Sequence, residues 1–166
     1  MIEQNVMAAI GSNIGDTIGR EVSKLTLCER MVEAARSYIG VPFFHAGRNR
    51  NGLDCVGLLV LATHDVGIDV FDEISYSPII NANYLKSRID KCCHKIDEAD
   101  ASPGDMVLFR VGRSEQHMAL VTEVNGHDTR IIHSFQTIGR VIEHELDAHW
   151  QNRIAGFYRL NDEVLM

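Results

Sequence analysis

Gly52-Leu53-Asp54-Cys55-Val56-Gly57-Leu58-Leu59-Val60-Leu61 reads as a polar turn running straight into a buried helix, with one cysteine at the junction. Asp54 has an N-cap side chain. The residues after it are apolar nearly all round, which suits a helix enclosed by protein. The pattern continues through Val66, and Gly67 is its stop. Cys55 then falls in the first turn, where unpaired amides and the positive end of the helix dipole favour an anion. A thiol there is expected to have a lowered pKa and to attack as a thiolate. The same amides would steady an oxyanion formed from the attacked carbonyl. A cysteine beside an apolar run is more often a small buried hydrophobe. Only a base supplied from elsewhere in the chain makes it a nucleophile.

Upstream, Thr26 and Glu29 form a capping-box pattern, and Leu27, Met31, Ala34, Ala35 and Tyr38 make one apolar stripe at helical spacing. Gly40 and Pro42 end that helix. A loop over residues 43–52 leads to the cysteine. Residues 1–25 are broken by glycines and read as an arm, either flexible or docked on a partner, before a single domain over 26–166.

Downstream the period changes. A polar segment after Gly67 precedes a short helix over about 83–93, with Tyr84, Leu85, Ile89 and Cys92 or Cys93 facing inward. Ser102-Pro103-Gly104-Asp105 is a turn. Strands are predicted at 106–111, 117–124, 130–135, 139–146 and 154–160, with Asn125-Gly126 marking a hairpin and 149–153 a short turn or helix. Helices first and an antiparallel sheet second make an α+β domain.

Two histidines lie on these strands. A three-residue loop from Asn125 to His127 would pair Val124 with Asp128 and bring His117 and His133 to one face. A two-residue loop would put them on opposite faces. In the first case His117 can take the thiol proton and return it to a leaving amine, while His133 holds its ring. Taken singly, His117 can equally be a satisfied strand histidine, and for His133 that structural reading is the favoured one.

The composition narrows the partners. Lys and Arg number 16 against 23 Asp and Glu, a net charge of −7, so no basic stripe is available for nucleic acid. A polymeric cell-wall substrate is not excluded. The four cysteines do not form a disulfide framework, and Cys92 and Cys93 are expected on opposite sides of a helix. No metal-ligand spacing occurs, so no metal or cofactor is expected. The start lacks a signal-peptide pattern and no apolar run reaches membrane-spanning length, so synthesis in the cytoplasm is expected.

Five blocks occur in order: Ala35 to Phe43, Asp54-Cys55-Val56-Gly57-Leu58, Pro103 to Phe109, His117 to Val121, and Ile132-His133-Ser134. Together they resemble the NlpC-type family of cell-wall cysteine peptidases, whose fold is papain-like. The likeness covers about residues 28 to 160. The His45-Ala46 loop and the stretch from Trp150 to Leu160 resemble the branch found in phage and gene-transfer-agent tail modules.

The resemblance implies a Cys–His–His triad, with Cys55 as nucleophile, His117 as base and His133 as orienter. It implies hydrolysis of peptidoglycan stem peptides, commonly between D-glutamate and a diamino acid. It also implies structural proteins of a phage-tail-like particle as partners, and action at the cell wall. Two positions depart from the family pattern. Val56 stands where the family has serine, and His45 where its loop has a tyrosine. His45, Asp54 and Val56 are held as substrate-binding or oxyanion positions, with Val56 foremost a packing change and Asp54 a cap rather than an acid. Two other functions remain open: a non-catalytic tail or scaffold component, and an acyltransferase using the same thioester.

Overall fold

A computed structural model describes residues 25–70, 72, 74–76, 82–112, 114–126 and 128–165. The arm expected over 1–25 lies, apart from Leu25, outside these residues. Helix α1 (Leu27–Arg36) starts at the predicted capping box: Thr26 Oγ1 accepts the Glu29 amide, and the Glu29 carboxylate accepts the Thr26 amide. A two-stranded ribbon, β1 (Arg48–Asn49) and β2 (Gly52–Leu53), leads into α2 (Cys55–Asp65), capped by Asp54. Helix α3 (Ala82–Cys92) runs directly into β3 (Cys93–Ile96). Then follow β4 (Met106–Val111), β5 (Ser114–Asn125), β6 (Asp128–Phe135), β7 (Arg140–Glu145), α4 (Ala148–Gln151), β8 (Ile154–Leu160) and α5 (Asp162–Leu165).

The large sheet is antiparallel, in the order β3-β8-β4-β5-β6-β7. Alternation along the strands splits the core in two. Met106, Leu108, Met118, Leu120, Ile132 and Val141 face the helices and pack with Met31, Ala35, Leu58, Leu85 and Ile89. Val107, Phe109, Ala119, Val121 and Ile131 face the other way, against Trp150 and Phe157. Helices N-terminal and antiparallel sheet C-terminal are the α+β architecture expected.

Three details bear on the expectations. Strand β3 begins directly after the helix, so Cys92 ends a helix and Cys93 opens a strand instead of both lying round one helix. Their sulfurs are 3.5 Å apart. The cause is the edge of β8, which pairs with 93–96 from Cys93↔Leu160 to Ile96↔Phe157. The β5–β6 connection has two residues rather than three, because Asn125 pairs with Asp128 and Gly126 adopts φ +63°. That register alone would separate His117 from His133. A bulge corrects it: Val121 pairs with Ile131 and Glu123 with Arg130, leaving Thr122 as an extra residue on β5.

Candidate active site

The β5–β6 ladder is registered only from Leu120↔Ile132 to the turn. Beyond Leu120, β5 pairs with β4 (Met118↔Leu108, His117↔Phe109) and β6 with β7. The segment before α2 enters where β5 and β6 part. Ser134, fully buried on β6, donates its hydroxyl to the Leu53 carbonyl at 2.7 Å. On the other side, the Cys55 sulfur lies against the Met118 amide of β5.

Asp54 fastens this junction. Its Oδ1 accepts the Gly57 amide at 2.8 Å and Arg48 Nη1 at 3.2 Å. Its Oδ2 accepts the Ala46 amide at 2.8 Å and the Tyr76 hydroxyl. Ala46 takes a left-handed φ of +56°, an uncommon conformation for a side-chain-bearing residue, and there its amide meets the carboxylate. Arg48 is held in turn by both oxygens of Asp72, at 3.0 and 2.9 Å from Nε. Asp54 is therefore a buried cap with its acceptor sites engaged. Gly57 is required by close approach, since a Cβ there would overlap the Gly47 carbonyl oxygen.

The expected lowering of the thiol pKa is not what the surroundings produce. Burial, with the Asp54 carboxylate next, pushes Cys55 up to about 12, against the lowering effect of the Met118, Val56 and Cys55 backbone amides. Desolvation and a neighbouring anion outweigh the helix end. The resting group is a neutral thiol.

His117 and His133 come together. Nε2 of His117 is 2.6 Å from Nδ1 of His133, and both are buried. Desolvation lowers His117 to about 3 and His133 to about 2, so both rings are neutral. Trp150 covers them, with ring centroids 5.4 Å from His117 and 4.9 Å from His133, and Phe109 and Phe135 complete the enclosure. Among the described residues no hydrogen bond joins the thiol to His117. The sulfur meets β5 one residue later, at Met118, from the helix side of the sheet. Catalytic hydrogen bonds in unliganded sites are often long and tighten when substrate binds.

His45 is engaged by Tyr76 and lies beside Asp54. Its Nε2 is 2.9 Å from the Tyr76 carbonyl oxygen, its ring packs edge-on against Tyr76 at 5.1 Å, and its Nδ1 is 3.9 Å from Asp54. Val56 is half-buried and lines a mostly apolar cavity of about 90 Å³, together with Leu59, Met106, Met118 and the Cys92–Cys93 pair. Among the described residues no three His, Cys, Asp or Glu side chains converge as a metal site.

Sequence reasoning missed three groups. Tyr76, from the segment after Gly67, donates its hydroxyl to Asp54. Trp150 encloses the imidazoles. His144, on β7, places Nε2 2.9 Å from Nε2 of His133. The signal for His144 was the β6–β7 register, which pairs His133 with Ile142 and Ile131 with His144, making the two histidines diagonal neighbours on one face.

The NlpC/P60 family model matches residues 40–159, more than half of the chain. The fold is similar to an NlpC/P60 family protein from Bacillus cereus, at 18% identity and a TM-score of 0.63, covering 82% of this chain and 41% of that one. It is similar to the NlpC/p60 domain of the peptidoglycan hydrolase SagA, at 20% identity and a TM-score of 0.52, covering 79% and 96%. It is also similar to RipD from Mycobacterium tuberculosis, described as a non-catalytic NlpC/p60 domain protein adapted to peptidoglycan binding, at 18% identity and a TM-score of 0.56, covering 81% and 97%. The chain thus spans less than half of the Bacillus cereus protein but nearly all of the other two. No curated protein sequence matches it.

Proposed function

The chain belongs to the NlpC/P60 family, and from that footing we propose that it is a cysteine peptidase or amidase acting on peptidoglycan stem peptides. The observation that carries the reading is the junction itself. Cys55, the first residue of α2, meets β5 at the residue after His117, and His117 is hydrogen-bonded to His133.

Cys55 is the nucleophile, His117 the base and His133 its orienter. The Cys55 thiol gives its proton to His117 as the sulfur forms a bond to the amide carbon. The carbonyl oxygen becomes an oxyanion, which the amides of the first turn of α2 stabilise. The C–N bond then breaks, and the leaving amine takes the proton from His117. Water, deprotonated by the same ring, displaces the thioester and restores the thiol. Because thiol and imidazole are both neutral at rest, the ion pair forms with substrate in place rather than beforehand.

The bond is taken to be the one between D-glutamate and the diamino acid, as the family resemblance implies. The likeness of the 45–46 loop and the 150–160 stretch to tail modules supports a place in a tail-like particle that opens the wall locally. Its partners would then be tail structural proteins. Among the described residues no helix is long and apolar enough to cross a membrane.

A second reading is favoured by one observation. Cys55 is only 6% exposed and is not bonded to His117, which suits a domain that binds peptidoglycan without cutting it. Incubation of purified muropeptides with wild type and Cys55→Ala separates the two. Release of new amines by wild type alone supports the hydrolase. Retention of the peptides on both proteins, with no release by either, supports the binding module and sinks the hydrolase.

A further inference from the structure

We infer that His144 is a positioning residue that sets the tautomers of His133 and His117, and that its protonation switches the base off. The inference rests on the reading of Cys55 and His117 as the reacting pair, and its own test includes a measurement that does not depend on turnover.

The tautomers are set from a backbone carbonyl. His144 Nδ1 is 2.6 Å from the Glu145 backbone oxygen. That oxygen can only accept, so Nδ1 of His144 carries the hydrogen. In a neutral imidazole the other nitrogen is then a lone pair. His144 Nε2, 2.9 Å from His133 Nε2, must accept, so the hydrogen of His133 is on Nε2. His133 Nδ1 is therefore a lone pair, and it accepts from His117 Nε2 at 2.6 Å. The hydrogen of His117 is thus on Nε2, which leaves the lone pair on Nδ1. One main-chain oxygen fixes three rings, and the last is left in the form that can take a proton from a thiol.

Protonation of His144 reverses every step. Both of its nitrogens then donate, so His133 Nε2 must accept and the His133 hydrogen moves to Nδ1. His133 Nδ1 then donates to His117 Nε2, and the His117 hydrogen moves to Nδ1. His117 Nδ1, a lone pair before, now carries an N–H. No charge enters the buried pair, so the switch does not require His117 or His133 to be protonated.

His144 is placed to do this. It is half-buried, whereas His117 and His133 are 4% and 0% exposed, so it is the member of the chain nearest solvent. The titratable groups that face it are His133 on β6 and, beyond it, His117 on β5. From α4 it meets the uncharged indole of Trp150, whose far neighbour is His149. Glu145 follows it on β7 and is exposed. Glu143 points to the opposite face, where it binds Arg36 and lies 4.0 Å from Arg130.

The test is nitrogen-15 NMR of the histidine rings in the full chain, wild type, His144→Gln and His144→Ala, alongside the pH profile of muropeptide turnover. In wild type, His117 and His133 are expected as Nε2–H tautomers at pH 8, and both should change to Nδ1–H with the midpoint of His144. Turnover should fall about tenfold per pH unit below that midpoint. His144→Gln can still accept from His133 but does not titrate, so its His117 tautomer and turnover should stay within about threefold of their pH 8 values across the same range. His144→Ala should mix the His117 tautomers and lower kcat by about tenfold to a hundredfold, with KM little changed. A wild-type His117 found as Nδ1–H at pH 8, or one whose tautomer ignores both the titration and the removal of His144, overturns the inference. If the tautomers follow His144 while wild type cleaves no muropeptide, the relay stands and the proposed hydrolase fails.

Discussion

His117 and His133 share one face of the sheet, 2.6 Å apart, although the two-residue turn between their strands would by itself put them on opposite faces. The bulge at Thr122 reconciles the two. Pairs nearest the turn follow one register, Asn125↔Asp128 to Glu123↔Arg130, and pairs beyond it follow another, Val121↔Ile131 and Leu120↔Ile132. The extra residue shifts everything after it by one, and a shift of one exchanges the faces of a strand.

Deleting Thr122 should therefore break the imidazole pair. Continuous register would turn His117 toward the helices or force β5 to slip against β4. The protein is expected to lose muropeptide turnover completely. A Thr122→Val variant, which keeps the residue count, should retain both turnover and the NMR contact between the rings. Full activity in the deletion variant would refute the role of the bulge.

Much of the fold was legible because its signals are local. The capping box at Thr26, the apolar run after Asp54 and the alternation at 106–111 each determine an element within a few residues. Strand β3 was not legible, because four residues following a helical stripe carry no period of their own and become a strand only against β8. The site divides in the same way. Cys55 opens α2 and His117 lies on a strand next to an apolar run, where sequence pattern reaches them. Tyr76 and His144 depend on how distant segments meet, and the raised thiol pKa depends on burial that no local motif encodes.

The buried histidines predict acid sensitivity. Unfolded imidazoles titrate near 6.5, while burial holds His117 at about 3 and His133 at about 2. As the folded values are the lower ones, the unfolded chain takes up protons first. Their contribution is complete above pH 6.5 and is lost as pH falls from there toward 3. Each ring can cost about 1.4 kcal/mol per pH unit in that window. Urea midpoints measured from pH 6.5 to 5, above the carboxylate range, should fall steeply in wild type. In His133→Gln the slope should be about half as large, since one of the two rings is gone. Identical slopes would mean that burial of His133 is not the cause.

The Asp54 cluster predicts a loss of stability from a very small change. Tyr76→Phe removes one hydroxyl that donates to Asp54 and that Arg48 also reaches at 3.3 Å. A buried carboxylate that loses a donor costs about 1–3 kcal/mol. Asp54→Ala should cost more, because the cap of α2 is lost, about 1 kcal/mol alone, and Arg48 keeps only Asp72 as its carboxylate partner. Chemical denaturation of the two variants checks the order. A Tyr76→Phe protein as stable as wild type would show that the hydroxyl contributes nothing.

Gly57→Ala carries the opposite sign from helix propensity. Alanine in place of glycine in a helix interior normally stabilises by about 1 kcal/mol. At residue 57 the added Cβ would overlap the Gly47 carbonyl oxygen and come within 2.9 Å of Arg48 Nη1 and 3.3 Å of the Leu53 Cβ. The first is main chain and cannot swing aside. The loop over 43–53 must then move off α2, taking the Ala46 amide from Asp54 and the Leu53 carbonyl from Ser134. Overpacking of this kind typically costs about 1–3 kcal/mol. The variant should melt below wild type and should also lose turnover, because the displaced loop is the one that seats Cys55. A variant that melts higher, as propensity alone requires, would show that the 43–53 loop yields without cost and does not fix the position of the thiol.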